Sequence, residues 1–327
     1  MDRLGLFLTA LILAGICDWL FGDPPGLPHP VRLLGRVITR LESIAIRLFV
    51  SPGNLIFAGF LITAVTAGAS VSVVLLVISA AYKTHPIAGF VVETYLIFTV
   101  IAGGDLRNHV VRVKEELEGE NHVRARSQVA MLVSRDTEML DENGISKAAL
   151  ESLFENSADG FVSPLFYIAL GGPAGAVLFK TVSTLDSMLG HKSGHYYYLG
   201  RFPARLDDLL NFIPARLTAL LILLAGAGQG RFTRGLKVLQ QDHGKHESPN
   251  SAWPEAAAAG ILNVRLGGVD SYKGRVKERP VINETGDMPR KDDLGKGLSL
   301  YFRTTLIAFL LLASLAWWLR YMEGVYF

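Results

Sequence analysis

Three polar stretches carry the residues able to do chemistry. In the first, residues 134–160, a helical run beginning at Ser146 places Glu151, Glu155 and Asp159 at i, i+4 and i+8, with Asn156 beside them. Carboxylates on one helix face repel one another, so the pattern calls for a counter-cation, either Mg²⁺ or nearby arginines such as Arg126 and Arg135. A solvated acidic face is the plain alternative. In the second, residues 183–216, Asp207 or Asp208 lies one helical turn from Asn211. Hard oxygen donors at that spacing suit Mg²⁺ bridging phosphates, while Arg205 and Arg216 could hold phosphate or carboxylate. Helix capping and surface pairing would use the same residue types. The third, residues 246–274, joins Ser248-Pro249-Asn250 to an Ala-rich segment and then to Gly267, Gly268, Tyr272 and Gly274. A Pro-Asn turn ahead of a helix exposes N–H groups to an anion, and an ordinary helix cap needs the same residues.

Several other chemistries are excluded. His246-Glu247 does not extend into the zinc-protease pattern, because Asn250 stands where the second His belongs, so no histidine-based metal site is expected. There is no Gly-rich loop ending in Gly-Lys-Ser/Thr and no Gly-x-Ser-x-Gly elbow. Gly226, Gly228 and Gly230 fit helix packing or a turn better than a dinucleotide site. The lone cysteine, Cys17, sits in an apolar run and cannot form an intrachain disulfide or a Cys-based zinc site. With 32 basic against 30 acidic residues there is no charge excess for nucleic acid.

The elements that must position these motifs are membrane helices. Of the 327 residues 50% are hydrophobic and only 19% charged, with mean hydropathy +0.32, too apolar for an ordinary soluble enzyme. Apolar runs at 4–20, 55–82, 87–103 and 304–319 approach or exceed the roughly 17–20 residues a bilayer core requires. Two more, 161–179 and 217–228, are broken by Gly and Pro or short, and are expected to be re-entrant. The loops 21–54, 104–160 and 229–303 are Lys/Arg-rich, which puts them in the cytoplasm. Arg32, Arg36, Arg40 and Arg47 form one stripe of an amphipathic segment that reads as an interfacial helix or as a solvated face packed on protein. Glu93, ionisable within an apolar run, needs a partner. The fold class expected is all-α: one polytopic integral membrane unit with helical cytoplasmic loops.

With these motifs in order along nearly the whole chain, the sequence resembles the CobD/CbiB family of adenosylcobinamide-phosphate synthases. The blocks are Gly22-Asp23-Pro24, His29-Pro30-Val31, Ala125-Arg126, Arg135-Asp136-Thr137, Glu151-Ser152, Glu155-Asn156 and Asp159-Gly160. They continue as Pro164-Leu165-Phe166, Thr184-Leu185-Asp186-Ser187-Met188, Arg205-Leu206-Asp207-Asp208, Asn211, Pro214-Ala215-Arg216, Ser248-Pro249-Asn250, Leu266-Gly267-Gly268, Tyr272 and Gly274. Ser183, where Asn is common, and His191, where an aromatic often follows the Gly, depart from the pattern and bear on substrate preference.

The resemblance implies ATP-dependent amide formation joining a side-chain carboxylate of adenosylcobyric acid to (R)-1-aminopropan-2-ol or its phosphate, at the cytoplasmic face of the inner membrane. ATP would activate the carboxylate as an acyl phosphate, with Mg²⁺ and Arg meeting the phosphate charge. On that basis Glu151, Glu155, Asp159, Asp207 and Asp208 are the Mg²⁺ candidates, and Arg135, Arg205 and Arg216 the anion anchors. Asp136 or Asp186 is the candidate base. Arg126, Asn156, Asn211, Ser248, Asn250, Gly267, Gly268 and Tyr272 are expected to bind nucleotide or substrate. The expected partners are the lipid bilayer and enzymes acting later in cobalamin assembly. Two rival readings remain: a non-catalytic membrane protein of the sister AmpE-like branch, and a corrinoid transporter suggested by the broken helices and Glu93.

Overall fold

The computed structural model describes residues 2–326 except Pro25, Leu27, Pro28, Lys192 and Gln229, with side chains to Met322. In chain order the helices are α1 (Arg3–Phe21), α2 (Pro30–Leu48), α3 (Pro52–Thr84), α4 (Pro86–Val100), α5 (Gly103–Glu118), α6 (His122–Val129) and α7 (Glu142–Ser157). A π-helical turn, Ala158–Val162, leads into α8 (Ser163–Leu189), α9 (Tyr196–Leu199), α10 (Arg201–Leu210), α11 (Phe212–Ala225), α12 (Arg231–Asp242) and α13 (Ala252–Leu262). Strands β1 (Leu266–Tyr272) and β2 (Arg275–Ile282) precede the last helix, α14 (Lys291–Tyr326). Helix starts follow local chemistry. Asp2, Ser51 and Asp141 accept from first-turn N–H groups of α1, α3 and α7, and α2, α3 and α4 open on Pro, whose missing N–H costs nothing there.

This is the architecture of a polytopic helical membrane protein. Four helical stretches are long and apolar enough to cross a bilayer: Arg3–Phe21, Pro52–Thr84, Glu142–Leu189 and Lys291–Met322. Two interrupted pairs, Pro86–Val100 with Gly103–Glu118 and Arg201–Leu210 with Phe212–Ala225, bring the number to as many as six if each bent pair is one span. Within the expected span at 87–103 the helix stops at Val100 after 15 residues, short of a full crossing by itself, and it continues past a 42° bend into Gly103–Glu118, the pair together being long and apolar enough. The segment at 161–179 instead belongs to one of the four long stretches.

The chain, read above as one unit, folds into two compact units. The first comprises residues 1–102, 163–211 and 311–327. The outer face of α3 leaves Phe57, Leu61, Val65, Leu75 and Leu76 exposed, as a lipid-facing surface requires. Its inner face packs Leu55, Ala58 and Ile62 on Ile38 of α2 and on Leu185, Leu189 and Leu199. A Cβ at Gly59 would sit 2.0 Å from the Leu199 carbonyl oxygen, so only glycine permits that approach. On α2 all four arginines of the stripe are exposed beside exposed Leu33, Val37, Ile44 and Leu48, the two-sided surface of an interfacial helix.

Two buried polar problems in this unit have local solutions. Glu93, 2% exposed, accepts from Arg3 Nη1 at 2.8 Å and from the Tyr82 hydroxyl at 2.7 Å. The residue that suggested transport is thus a paired structural carboxylate. In α8 the helix breaks at Gly171 and Gly172, the latter at φ 62°, ahead of Pro173. The guanidinium of Arg320 donates to the freed carbonyls of Ile168 and Ala169 at 3.1 and 3.2 Å, which satisfies backbone that a bilayer would leave bare.

The second unit comprises residues 103–162 and 212–310. Gly235 and Gly260 let α12 and α13 touch, since a Cβ on Gly260 would lie 2.6 Å from the Gly235 Cα. Gly226 meets Ile261, the packing role expected for it. The all-helical expectation fails at 266–282, which forms an antiparallel hairpin with Val269 opposite Glu278 and Tyr272 opposite Arg275. Its loop is Lys273-Gly274, both at positive φ, the twist a two-residue hairpin needs. Lys-Gly is a weaker hairpin signal than Asn-Gly, and β2 is mostly exposed and charged, so no apolar alternation marked it.

Candidate active site

In the second unit, helix α7 and the hairpin build a buried ionic network. Glu151, 1% exposed, accepts from Arg135 Nη2, from Arg279 Nη2 at 2.7 Å and from the Gly267 N–H at 2.6 Å. Asp270 on β1 accepts from Arg135 Nη1 at 2.8 Å, Lys147 Nζ at 3.2 Å and Arg279 Nε at 2.9 Å. Buried charges persist only when paired and hydrogen-bonded, and here they pin the hairpin to α7. Burial alone would weaken proton binding at Arg279, but Glu151 and Asp270 raise its affinity above the ordinary arginine value.

Gly267 is the hinge of this arrangement. It sits at φ 76°, its N–H donates to Glu151, its carbonyl accepts from Lys147 at 2.9 Å, and a Cβ would lie 2.2 Å from the Pro280 carbonyl oxygen. Gly267→Ala therefore combines a strained φ with a backbone clash. It is expected to destabilise this unit by about 1–3 kcal/mol, read as a lower thermal midpoint in detergent and faster amide exchange over 266–282; exchange unchanged there would refute it.

Against this network lies a cavity of about 310 Å³ lined by Arg135, Glu151, Glu155, His246, Glu255, Tyr272 and Arg279, among others. Glu155, His246 and Glu255 each bring one potential ligand atom within 4.8 Å of the others. Glu255 is 1% exposed and its Oε1 has no hydrogen-bond partner among the described residues. Burial, and then the charges of Glu155 and Glu151, raise its proton affinity well above the carboxylate range. The cluster has the outline of a metal centre, but the imidazole argues against one. Nδ1 of His246 accepts the Ser248 N–H at 3.0 Å, so the neutral ring carries its proton on Nε2. Neither nitrogen then has a free lone pair for a metal. Burial also lowers the His246 pKa, keeping the ring neutral.

The first unit holds a second acidic cluster. Asp207 on α10 feels the charges of Asp186 and Asp208, with Lys180 nearby. Ser163 Oγ donates to Asn211 Oδ1 at 2.7 Å, and Asn211 Nδ2 donates to Asp207 Oδ2 at 3.0 Å. Asp207 Oδ1 is buried with no partner among the described residues. Asp207 thus has one oxygen committed to Asn211 and the other bare, in the field of two more carboxylates.

The residues singled out from sequence divide between the two units. Arg135, Glu151, Glu155, Gly267 and Tyr272 line the cavity; Asp186, Asp207, Asp208 and Asn211 make the second cluster, with Arg205 exposed on the same helix. Others prove structural. Asp136 accepts from Ser271 Oγ at 2.6 Å and from the N–H groups of Lys273 and Gly274 at 2.9 and 2.8 Å. Those bonds, Ser271 first, hold its pKa below the usual value: it clamps the hairpin loop, and its lowered proton affinity makes it a weak base. Glu151 is likewise corrected from metal ligand to ion-pair centre, because both its oxygens are taken. Arg126 Nε donates to the Leu140 carbonyl at 2.7 Å, and Asn156 Nδ2 to the Ser152 carbonyl at 2.9 Å. Asp159 falls in the π-helical turn, which breaks the α-helical spacing that had put it in line with Glu151 and Glu155.

Arg216 stacks between Phe212 at 3.5 Å and Trp253 at 4.4 Å and reaches Asn250 Oδ1 at 3.4 Å. Ser248 and Asn250 shape the turn that orients His246, with Asn250 N donating to Ser248 Oγ at 3.3 Å. Gly268, at φ 86°, lies where the strand register slips. Sequence reasoning missed Lys147, Glu255, Asp270 and Arg279 as site residues. Glu255 did carry a signal: a lone acid ahead of Ala256–Ala259 is the soluble counterpart of Glu93 in its apolar span.

Comparison with known proteins places these residues in context. The family model described as CobD/Cbib protein matches residues 11–301. The chain is 37% identical over 313 residues to the cobalamin biosynthesis protein CobD of Klebsiella pneumoniae, covering 95% of this chain and 98% of the relative. It is 41% identical over 280 residues to the protein of that name from Pelobacter propionicus, covering 84% and 85%. To the cobalamin biosynthesis protein CbiB of Salmonella typhimurium it is 36% identical over 309 residues, covering 94% and 97%. No solved structure matches.

Proposed function

This chain belongs to the CobD/CbiB protein family, and from that premise we propose that it acts in cobalamin biosynthesis as an ATP-dependent amide synthase. It joins a side-chain carboxylate of adenosylcobyric acid to (R)-1-aminopropan-2-ol or its phosphate, at the cytoplasmic face of the cell membrane. The relatives' role in cobalamin biosynthesis supports the pathway. The observation that carries the chemistry is Asp207, an oriented carboxylate whose Oδ1 is buried without a partner among the described residues, next to Asp186 and Asp208.

A carboxylate is a poor acyl donor because its oxygen leaves badly. Phosphoryl transfer from ATP makes an acyl phosphate; the amine then attacks the carbonyl carbon, and the C–O bond to phosphate breaks. Asp207, through its bare Oδ1, would offer one ligand to Mg²⁺, which when bound neutralises phosphate charge. Asn211 and Ser163 fix the Asp207 carboxylate so that it need not reorganise.

The test is mass spectrometry of a reaction of detergent-purified protein with adenosylcobyric acid, MgATP and either amine. The expected product has the mass of adenosylcobinamide or its phosphate and is absent without ATP. Failure with both amines, from folded protein that binds the corrinoid, would overturn the synthase and favour the AmpE-like reading.

A further inference from the structure

A groove wholly within the first unit is apolar inside and cationic at its rim. Its volume is about 340 Å³, and its walls include Leu34 and Val37 of α2, Val73 and Val74 of α3, Leu96 of α4 and Val177 of α8. Leu33, Val37 and Val73 line it and are themselves exposed, so the apolar interior is open between α2 and α3. Hydroxyls in the wall are spent on their own helices: Thr66 Oγ1 donates to the Ile62 carbonyl at 2.6 Å and Thr99 Oγ1 to the Leu96 carbonyl at 3.0 Å. A polar guest would give up its water there for little in return, whereas a hydrocarbon chain gives up nothing. Among the described residues, Lys180 is the one charged group in the lining.

The rim supplies charge of one sign. Arg36 lies three residues after Leu33 and Arg40 three after Val37, the spacing at which side chains adjoin on a helix surface. Both arginines are exposed, and neither makes an ion pair or hydrogen bond among the described residues. Nearby acids are occupied: Glu42, the one acid of α2, accepts from the Tyr196 hydroxyl at 2.6 Å, and Asp23 pairs with Arg32 at 3.2 Å. We propose that the groove takes one acyl chain of an anionic glycerophospholipid, with the lipid phosphate against Arg36 and Arg40. Chain burial and phosphate attraction then act on a single molecule, and the guanidinium fork matches phosphate oxygens. A zwitterionic lipid offers the same chain but sets its own cation against the arginines. This site is independent of the amide-synthase reading, and either can fail without the other.

Native mass spectrometry of the full-length protein, delipidated in detergent and titrated with phosphatidylglycerol or with phosphatidylcholine of the same chains, decides it. We expect one phosphatidylglycerol to bind at least about tenfold more tightly than phosphatidylcholine. Arg36→Gln/Arg40→Gln should weaken phosphatidylglycerol by about 25-fold, roughly fivefold for each arginine, and leave phosphatidylcholine unchanged. Ala69→Trp, at an exposed position in the groove wall, should weaken both lipids by filling the space for the chain. Arg47→Gln, further along the stripe, should weaken neither. Equal affinity for the two lipids, or a preference that survives in the double variant, would overturn the proposal. So would glycerol 3-phosphate or oleate binding as tightly as phosphatidylglycerol, the first because the groove then adds nothing and the second because a fatty acid is then the guest. A lipid-free dimer that Arg36→Gln/Arg40→Gln or Ala69→Trp dissociates would also overturn it, and would make this face a contact between two copies of the chain.

Discussion

Glu151→Ala is expected to unfold the hairpin and much of the second unit, at a cost of about 3–5 kcal/mol. The carboxylate is 1% exposed and receives Arg135, Arg279 and the Gly267 N–H. Truncating it leaves Arg135, Arg279 and Lys147 to share Asp270 as their one carboxylate in this network and removes the acceptor of a backbone N–H, and uncompensated buried charge is far costlier than the absence of the pair. The double variant Glu151→Leu/Arg279→Leu should accordingly lose less than the two single changes summed, by at least about 1 kcal/mol of coupling. Thermal unfolding in detergent with limited proteolysis across 266–282 measures this. A Glu151→Ala protein melting within about 2 °C of wild type would mean that the network does not hold the hairpin.

Asp207→Asn should leave the first unit folded and lower turnover by at least about 100-fold. Asparagine keeps the size of the side chain and an oxygen that can accept from Asn211, so the chain from Ser163 through Asn211 survives. What it removes is the charge on the bare oxygen. If that oxygen meets Mg²⁺, the Mg²⁺ concentration for half-maximal rate rises and Mn²⁺ binding weakens, which a structural role would not cause. A variant with low turnover but unaltered metal dependence would instead make Asp207 a positioning residue.

Most of the architecture was legible in the sequence. Apolar runs long enough for a bilayer report helices directly, because lipid leaves the backbone no partner but itself, and the runs at 4–20, 55–82 and 304–319 lie inside α1, α3 and α14. The break inside the run at 87–103 was not legible, because Ile101 and Ala102, apolar as they are, are not helical. The hairpin was missed because its strands lack the alternation that a half-buried sheet would impose.

The site was legible only as an inventory. Spacing along α7 marked Glu151 and Glu155 as neighbours, and motif order marked the chain's family; both are properties of the linear string. Their opposite fates were not. One turn apart on the same helix, Glu151 is consumed by Arg135 and Arg279 while Glu155 faces the cavity. That difference is made in large part by residues a hundred or more positions away, Glu255 and Arg279, brought in by α13 and β2. Asp136 shows the same thing from the other side: an acid with the composition of a base, silenced by three hydrogen bonds from Ser271, Lys273 and Gly274. Residue type and periodicity determined by themselves which groups could ionise and which segments had to be helical, since both depend on local covalent chemistry and on the solvent. Tertiary structure alone decided which carboxylates are neutralised and which are left bare, because a buried charge takes its partners through space.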